Sequence, residues 1–194
     1  MNLKKSILKV FSVNLLTMIS GIIISFLAPS ILSIESYADL KTFTFYLSYT
    51  AFLSIGFVDG MYIKYGGIDS KEVNIDEFKM EHTVFLIIEF VFTILLLIFS
   101  IILKNDILFL LSLSIIPVAM VGFFNMFYQA TGQFDKYSKN MLINTSMNLI
   151  LNFILVIVLK IKNAQLYCLI TIITNTIIMI YLEYVYAKKF KNIK

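Results

Sequence analysis

Apolar residues in this chain come in long runs, and polar residues collect in the short stretches between them. A helix rises about 1.5 Å per residue, so roughly 20 mostly apolar residues cross the ~30 Å hydrocarbon layer of a bilayer. Six runs reach that length, over residues 6–26, 41–65, 82–103, 107–130, 138–159 and 164–187. The first ends near Pro29, the third is the cleanest, and the fourth carries Pro117, where a kink is expected. Lipid offers a backbone no hydrogen-bond partner, so each run is expected to be a helix. The connections cover residues 30–40, 66–81, 104–106, 131–137 and 160–163, and none is long enough to separate domains. The stretch 66–81 is the longest and most polar and is expected as a loop. The pattern predicts an all-α fold: a polytopic membrane bundle of about six transmembrane helices, one domain over residues 1–194.

Composition agrees. Hydrophobic residues make up 59% and charged residues 14%, against about 45–50% and about 25% in soluble domains. With a mean hydropathy of +0.88, the surplus is too large to hide in one soluble core. The net charge of +4 comes from sixteen lysines and no arginine. Most lysines stand at the ends of the apolar runs, which points to lipid headgroups and topology and away from nucleic acid. With the N-terminus in the cytoplasm, twelve lysines fall inside and only Lys41, Lys104, Lys160 and Lys162 fall outside. That bias predicts both termini inside and an even number of spans. Lys4, Lys5 and Lys9 precede an apolar stretch too long for a signal-peptide core and without an Ala-x-Ala site, so the first helix is expected to be an uncleaved signal.

The chemistry of enzymes is not visible. Cys168 is the lone cysteine and lies inside an apolar run, and His82 is the lone histidine. No phosphate loop, zinc-helix motif or nucleophile elbow occurs. No catalytic residue, metal or cofactor is expected. Charges and amides inside the spans are the candidates instead, because each is costly in lipid. Glu89 lies about two turns into the third span, and reads either as a substrate or proton site or as a carboxyl bonded to a neighbouring helix. Asp59 sits between small residues near the end of the second span. Lys64 follows about one and a half turns later, on another side of the helix, where it snorkels or serves a site. Asn144, Asn148 and Asn152 recur every fourth residue and form one stripe, as do Asn125 and Gln129. Such stripes either glue helices together or line a cavity that hydrogen-bonds sugars. Asn14 marks the first span.

With both ends inside, Asn14, Asp59, Glu89, Asn125, Gln129 and Asn144 fall in the cytoplasmic half, with Asn148 near the midplane. The outer halves are more purely apolar, as over residues 95–99 and 154–158. This asymmetry fits an inward-open cavity or a polar cytoplasmic assembly surface.

Several motifs resemble polysaccharide biosynthesis proteins of the oligosaccharide flippase type. A polar-spotted first span is followed by a short loop with a tyrosine, here residues 33–37. The second span ends Gly56-Phe57-Val58-Asp59-Gly60-Met61-Tyr62-Ile63-Lys64-Tyr65-Gly66, similar to the family's Gly, apolar, any, Asp-Gly, apolar, two of any kind, Arg or Lys, Tyr-Gly. Residues 125–134, with Gln129-Ala130-Thr131-Gly132, resemble its fourth-span turn, and residues 144–153 its Asn-rich fifth helix. The resemblance implies translocation of an undecaprenyl-type lipid-linked oligosaccharide by alternating access in the bacterial plasma membrane. It implies a place in the multidrug and oligosaccharidyl-lipid exporter superfamily, beside glycan-assembly enzymes. Members carry twelve or more spans in two bundles. This chain supplies one, so a second half-bundle or a second copy is the expected partner. Two other readings stay open: the vitamin-binding membrane subunit of an energy-coupling importer, and a non-transporting membrane scaffold for glycan assembly.

Overall fold

A computed structural model describes residues 3–191. Seven α-helices follow in order: α1 (Leu3–Leu27), α2 (Ile34–Tyr49), α3 (Phe57–Tyr65), α4 (Ile75–Leu103), α5 (Asp106–Ala130), α6 (Phe134–Phe153) and α7 (Ala164–Lys191). Short 3₁₀ turns cover Ala28–Ser30 and Thr50–Ser54, and a π turn over Ile154–Val158 extends α6. Five helices (α1, α4, α5, α6 with its π turn, and α7) are long and apolar enough to cross a membrane. The protein is therefore a helical, multi-pass membrane bundle.

The second apolar run departs from expectation. It is two helices, not one. α2 tightens into the 3₁₀ turn, Ile55 and Gly56 take left-handed backbone (φ 49° and 71°), and α3 restarts at Phe57. Hydropathy sums side chains over a window and carries no information about that reversal. The polar stretch before the third run also differs. Asn74 caps α4 by accepting from the Asp76 and Glu77 amides (3.1 and 3.4 Å), and both acids favour the helix N-terminus. So α4 begins at Ile75, and Glu77 and Glu81 are helical. α5 is capped by Asn105, whose side chain accepts from the Leu108 amide, and it runs unbroken through Pro117.

α5 is the central post. It touches α2, α3, α4, α6 and α7, while α1 lies along α6. Its serines suit that place: Ser112 and Ser114 donate to Phe109 and Leu111 carbonyls of their own helix (2.7 and 2.6 Å). Two apolar clusters hold the ends of the bundle. One is aromatic. Phe78 stands 4.2 Å from Phe127, Phe85 stacks on Phe123 at 5.1 Å, and Tyr65 and Leu182 close around them. The other joins Phe43, Leu110, Val156, Tyr167 and Cys168. α2 begins in the second cluster at Leu40 and α3 ends in the first at Met61 and Tyr65. The broken pair thus runs from one end of the bundle to the other. Val10 of α1 and Leu182 of α7 belong to the same cluster, so both terminal helices have their outer ends on one side.

Candidate functional site

The break between α2 and α3 makes a cavity. An interrupted helix leaves backbone groups without their helical partners, which at membrane depth is tolerated where the chain lines a cavity or is covered by protein. Here Thr50, Ala51, Ser54, Val58 and Asp59 wall a space of about 310 Å³, with Phe85 and Glu89 of α4 and Ala119, Gly122 and Met126 of α5 opposite. Thr50 and Ser54 donate their hydroxyl protons to the Leu47 and Ala51 carbonyls (2.7 and 2.8 Å). Glu89 is fully buried, and neither carboxylate oxygen has a hydrogen-bond partner among the described residues. Asp59, in the first turn of α3, is exposed.

A second polar region lies between α1, α6, α7 and α2. Two adjoining hollows of about 240 and 250 Å³ share Gly21, Ile24 and Asn148 and form one groove. Asn144 donates to Asn175 Oδ1 (3.2 Å), and Thr17 and Thr145 share a 2.8 Å hydroxyl contact. Asn152 donates to the Asn148 carbonyl and to Asn148 Oδ1 (2.8 and 3.0 Å). Ser20 Oγ and Asn144 Oδ1 are buried here without a partner among the described residues. At the α1–α2 turn end, Lys41 donates to Ser25 Oγ (3.2 Å) and stands 5.2 Å from the Tyr37 ring centre. The groove's polar lining thus reaches the end where the sequence pattern suggested a more apolar half.

The remaining candidates are bonded into the framework. Asn125 Oδ1 accepts from Asn140 (3.4 Å), and Gln129 turns back to the Asn125 carbonyl (3.5 Å). Asn14 accepts the Tyr137 hydroxyl (2.9 Å), tying α1 to α6. Lys64 does not snorkel alone: it pairs with Glu77 (2.6 Å) and with Glu81 on α4. The eight candidates therefore do not share one space. Asp59 and Glu89 line the cavity at the break, Asn144 and Asn148 line the groove, Asn14, Lys64 and Asn125 join helices, and Gln129 bonds back within α5.

Sequence reasoning passed over Asn140, which extends the α6 stripe by one more step of four. It also passed over Thr50 and Ser54, which become cavity walls only because the helix breaks. Four residues turn a helix by about 40° past a full turn, so the stripe slides around α6. That drift aims Asn140 at α5, Asn144 at α7 and Asn148 into the groove. No family model, curated protein or solved structure matches the chain.

Proposed function

We propose that this bundle is one half of a translocation path for a lipid-linked oligosaccharide, with its polar groove as the sugar-facing surface. The observation that carries the reading is the groove between α1, α6 and α7. It gathers neutral amides and hydroxyls, and leaves Ser20 Oγ and Asn144 Oδ1 buried without partners among the described residues. Amides both donate and accept, as sugar hydroxyls do, so the two surfaces are complementary without ionic contacts. Gly21 removes side-chain bulk from the α1 wall, where an added Cβ would meet nothing within 4 Å. Lys41 supplies a cation at one end, suited to a phosphate. Lipid tails would remain outside among the exposed apolar side chains of α1 and α4, such as Ile22, Phe26, Ile87 and Leu95.

On this reading the α2–α3 pair crosses the bilayer as the sixth span, with both termini in the cytoplasm of a bacterial cell. A second bundle, from another chain or another copy, closes the path. Movement needs no covalent chemistry and no cofactor. The scaffold alternative draws on Asn125–Asn140 and Asn14–Tyr137, which are helix-to-helix bonds. Those bonds explain the framework and leave the groove's unpartnered atoms unexplained.

The test is binding in nanodiscs of undecaprenyl-diphosphate oligosaccharide against the same lipid without sugar. The glycan-bearing lipid is expected to bind more tightly. Asn148→Leu is expected to remove about tenfold of that preference, the value of one good hydrogen bond. Equal affinity for the two lipids overturns the reading.

A further inference from the structure

We infer that the cavity at the α2–α3 break is a binding site for a monovalent alkali cation, centred on Glu89. The inference goes beyond the groove and does not rest on it. Failure of sugar-lipid binding would leave it standing.

The lining decides the sign of the ligand. Every side-chain polar group that faces this cavity presents oxygen. Two are the carboxylates of Asp59 and Glu89. The other two are the Thr50 and Ser54 hydroxyls, whose protons are already given to the Leu47 and Ala51 carbonyls. A hydroxyl bonded in that way keeps its lone pairs for something else. Among the described residues, no lysine or histidine lines the cavity, and no side-chain N–H does. Such a wall repels the phosphates of a lipid headgroup and attracts a hard cation.

Glu89 supplies the need. An ionised carboxylate removed from water and from every donor is not stable, so a cation or a proton must join it. Its neighbours cannot do so. Of the elements around it, only α3 adds another charged group to the lining, Asp59, which is negative. Lys64, the basic residue of α3, is already held by Glu77 and Glu81. His82, two turns back along α4, is bonded to Glu183 of α7 (2.8 Å).

Charge then selects a monovalent ion. Among the described residues, Glu89 is the only fully buried carboxylate in the lining, and one positive charge neutralises it. A divalent ion would need Asp59 drawn in as well, whereas Asp59 is exposed and can keep its water. The neutral oxygens of Thr50 and Ser54 complete a mixed oxygen set of the kind alkali cations take.

The experiment is thermal unfolding of the full chain in nanodiscs of neutral lipid, with sodium or potassium chloride replacing choline chloride at fixed ionic strength. At about pH 8 one alkali salt should raise the midpoint saturably. At about pH 5 protons compete for Glu89, and half-saturation should need more salt than at about pH 8. Glu89→Gln, neutral and of the same shape, should abolish the response. Ser54→Ala, which leaves Glu89 in place, should raise the half-saturating concentration several-fold. Equal midpoints in alkali and choline salts overturn the inference. So does a pH response that depends on Glu89 without any response to sodium or potassium, which would assign the site to a proton alone. An undiminished salt response in Glu89→Gln also overturns it. Should Glu89→Gln not fold, unchanged half-saturation in both Ser54→Ala and Asp59→Asn has the same force.

Discussion

Lys64 of α3 is ion-paired to Glu81 of α4, and the second oxygen of that carboxylate accepts the Tyr65 hydroxyl at 2.8 Å. One side chain thus fastens the short helix after the break to the long helix beside it. Glu77 pairs with the same lysine at 2.6 Å but is more exposed, its side chain 42% accessible against 15% for Glu81. Exposed ion pairs contribute about 0–1 kcal/mol, and a half-buried acceptor with two partners contributes more. Glu81→Gln is expected to lower stability by about 1–2 kcal/mol and Glu77→Gln by less than about 0.5 kcal/mol. Reversible unfolding in mixed micelles measures both, and equal losses would disprove the distinction.

Ile55 carries a left-handed φ of 49°, a conformation that crowds a β-branched side chain. It is 72% exposed, so little packing against protein is at stake. Ile55→Gly is expected to stabilise the protein by about 1 kcal/mol. Gly56, at φ 71°, predicts the opposite. A Cβ there meets nothing within 4 Å, so Gly56→Ala should cost about 1 kcal/mol through backbone alone. If both substitutions move the unfolding midpoint in the same direction, the left-handed turn is not the cause.

The Asn140–Asn125 bond joins α6 to α5 at 3.4 Å, with both residues buried. Side-chain hydrogen bonds between membrane helices average about 0.6 kcal/mol in double-mutant cycles. Replacing either residue with leucine strands the other amide, so the double variant is expected to be less damaged than the two single losses added together. A coupling energy of zero across that cycle would remove Asn125 and Asn140 from the framework.

Cys168 is fully buried, which leaves a quiet background for introduced cysteines. A water-soluble, membrane-impermeant thiol reagent is expected to label cysteine at Asp59 and at Asn148, one in each polar space. Cysteine at Asn125 or Asn140, at 7% and 4% exposure, should resist it. Rapid labelling at Asn125 would mean that one connected water-filled space replaces the two described above.

Much of the fold was legible because lipid demands long apolar runs, and such runs are a one-dimensional signal. α5 and α7 begin within a residue of where hydropathy begins them, and five of the six expected spans are helices of sufficient length. The break at Ile55–Gly56 was not legible, since a run of apolar residues reads the same whether its backbone is right- or left-handed. The start of α4 was hidden by charge: Asp76, Glu77 and Glu81 look like a solvated loop until Asn74 is recognised as a cap. The candidate residues were legible as types, because polar groups in lipid stand out. Their partners lie on other helices, as Tyr137 does for Asn14 and Glu81 for Lys64, and spacing along one helix cannot reveal them.

The groove's amides on α6 run from Asn144 to Asn152 in steps of four. Eight residues cover about 12 Å of helix axis, and two steps of about 40° add up to about 80°. Anything handed from one amide to the next would be turned as it advanced, as on a spiral stair. A rigid, linear ligand could not follow that course without rotating, whereas a jointed chain of small rings could.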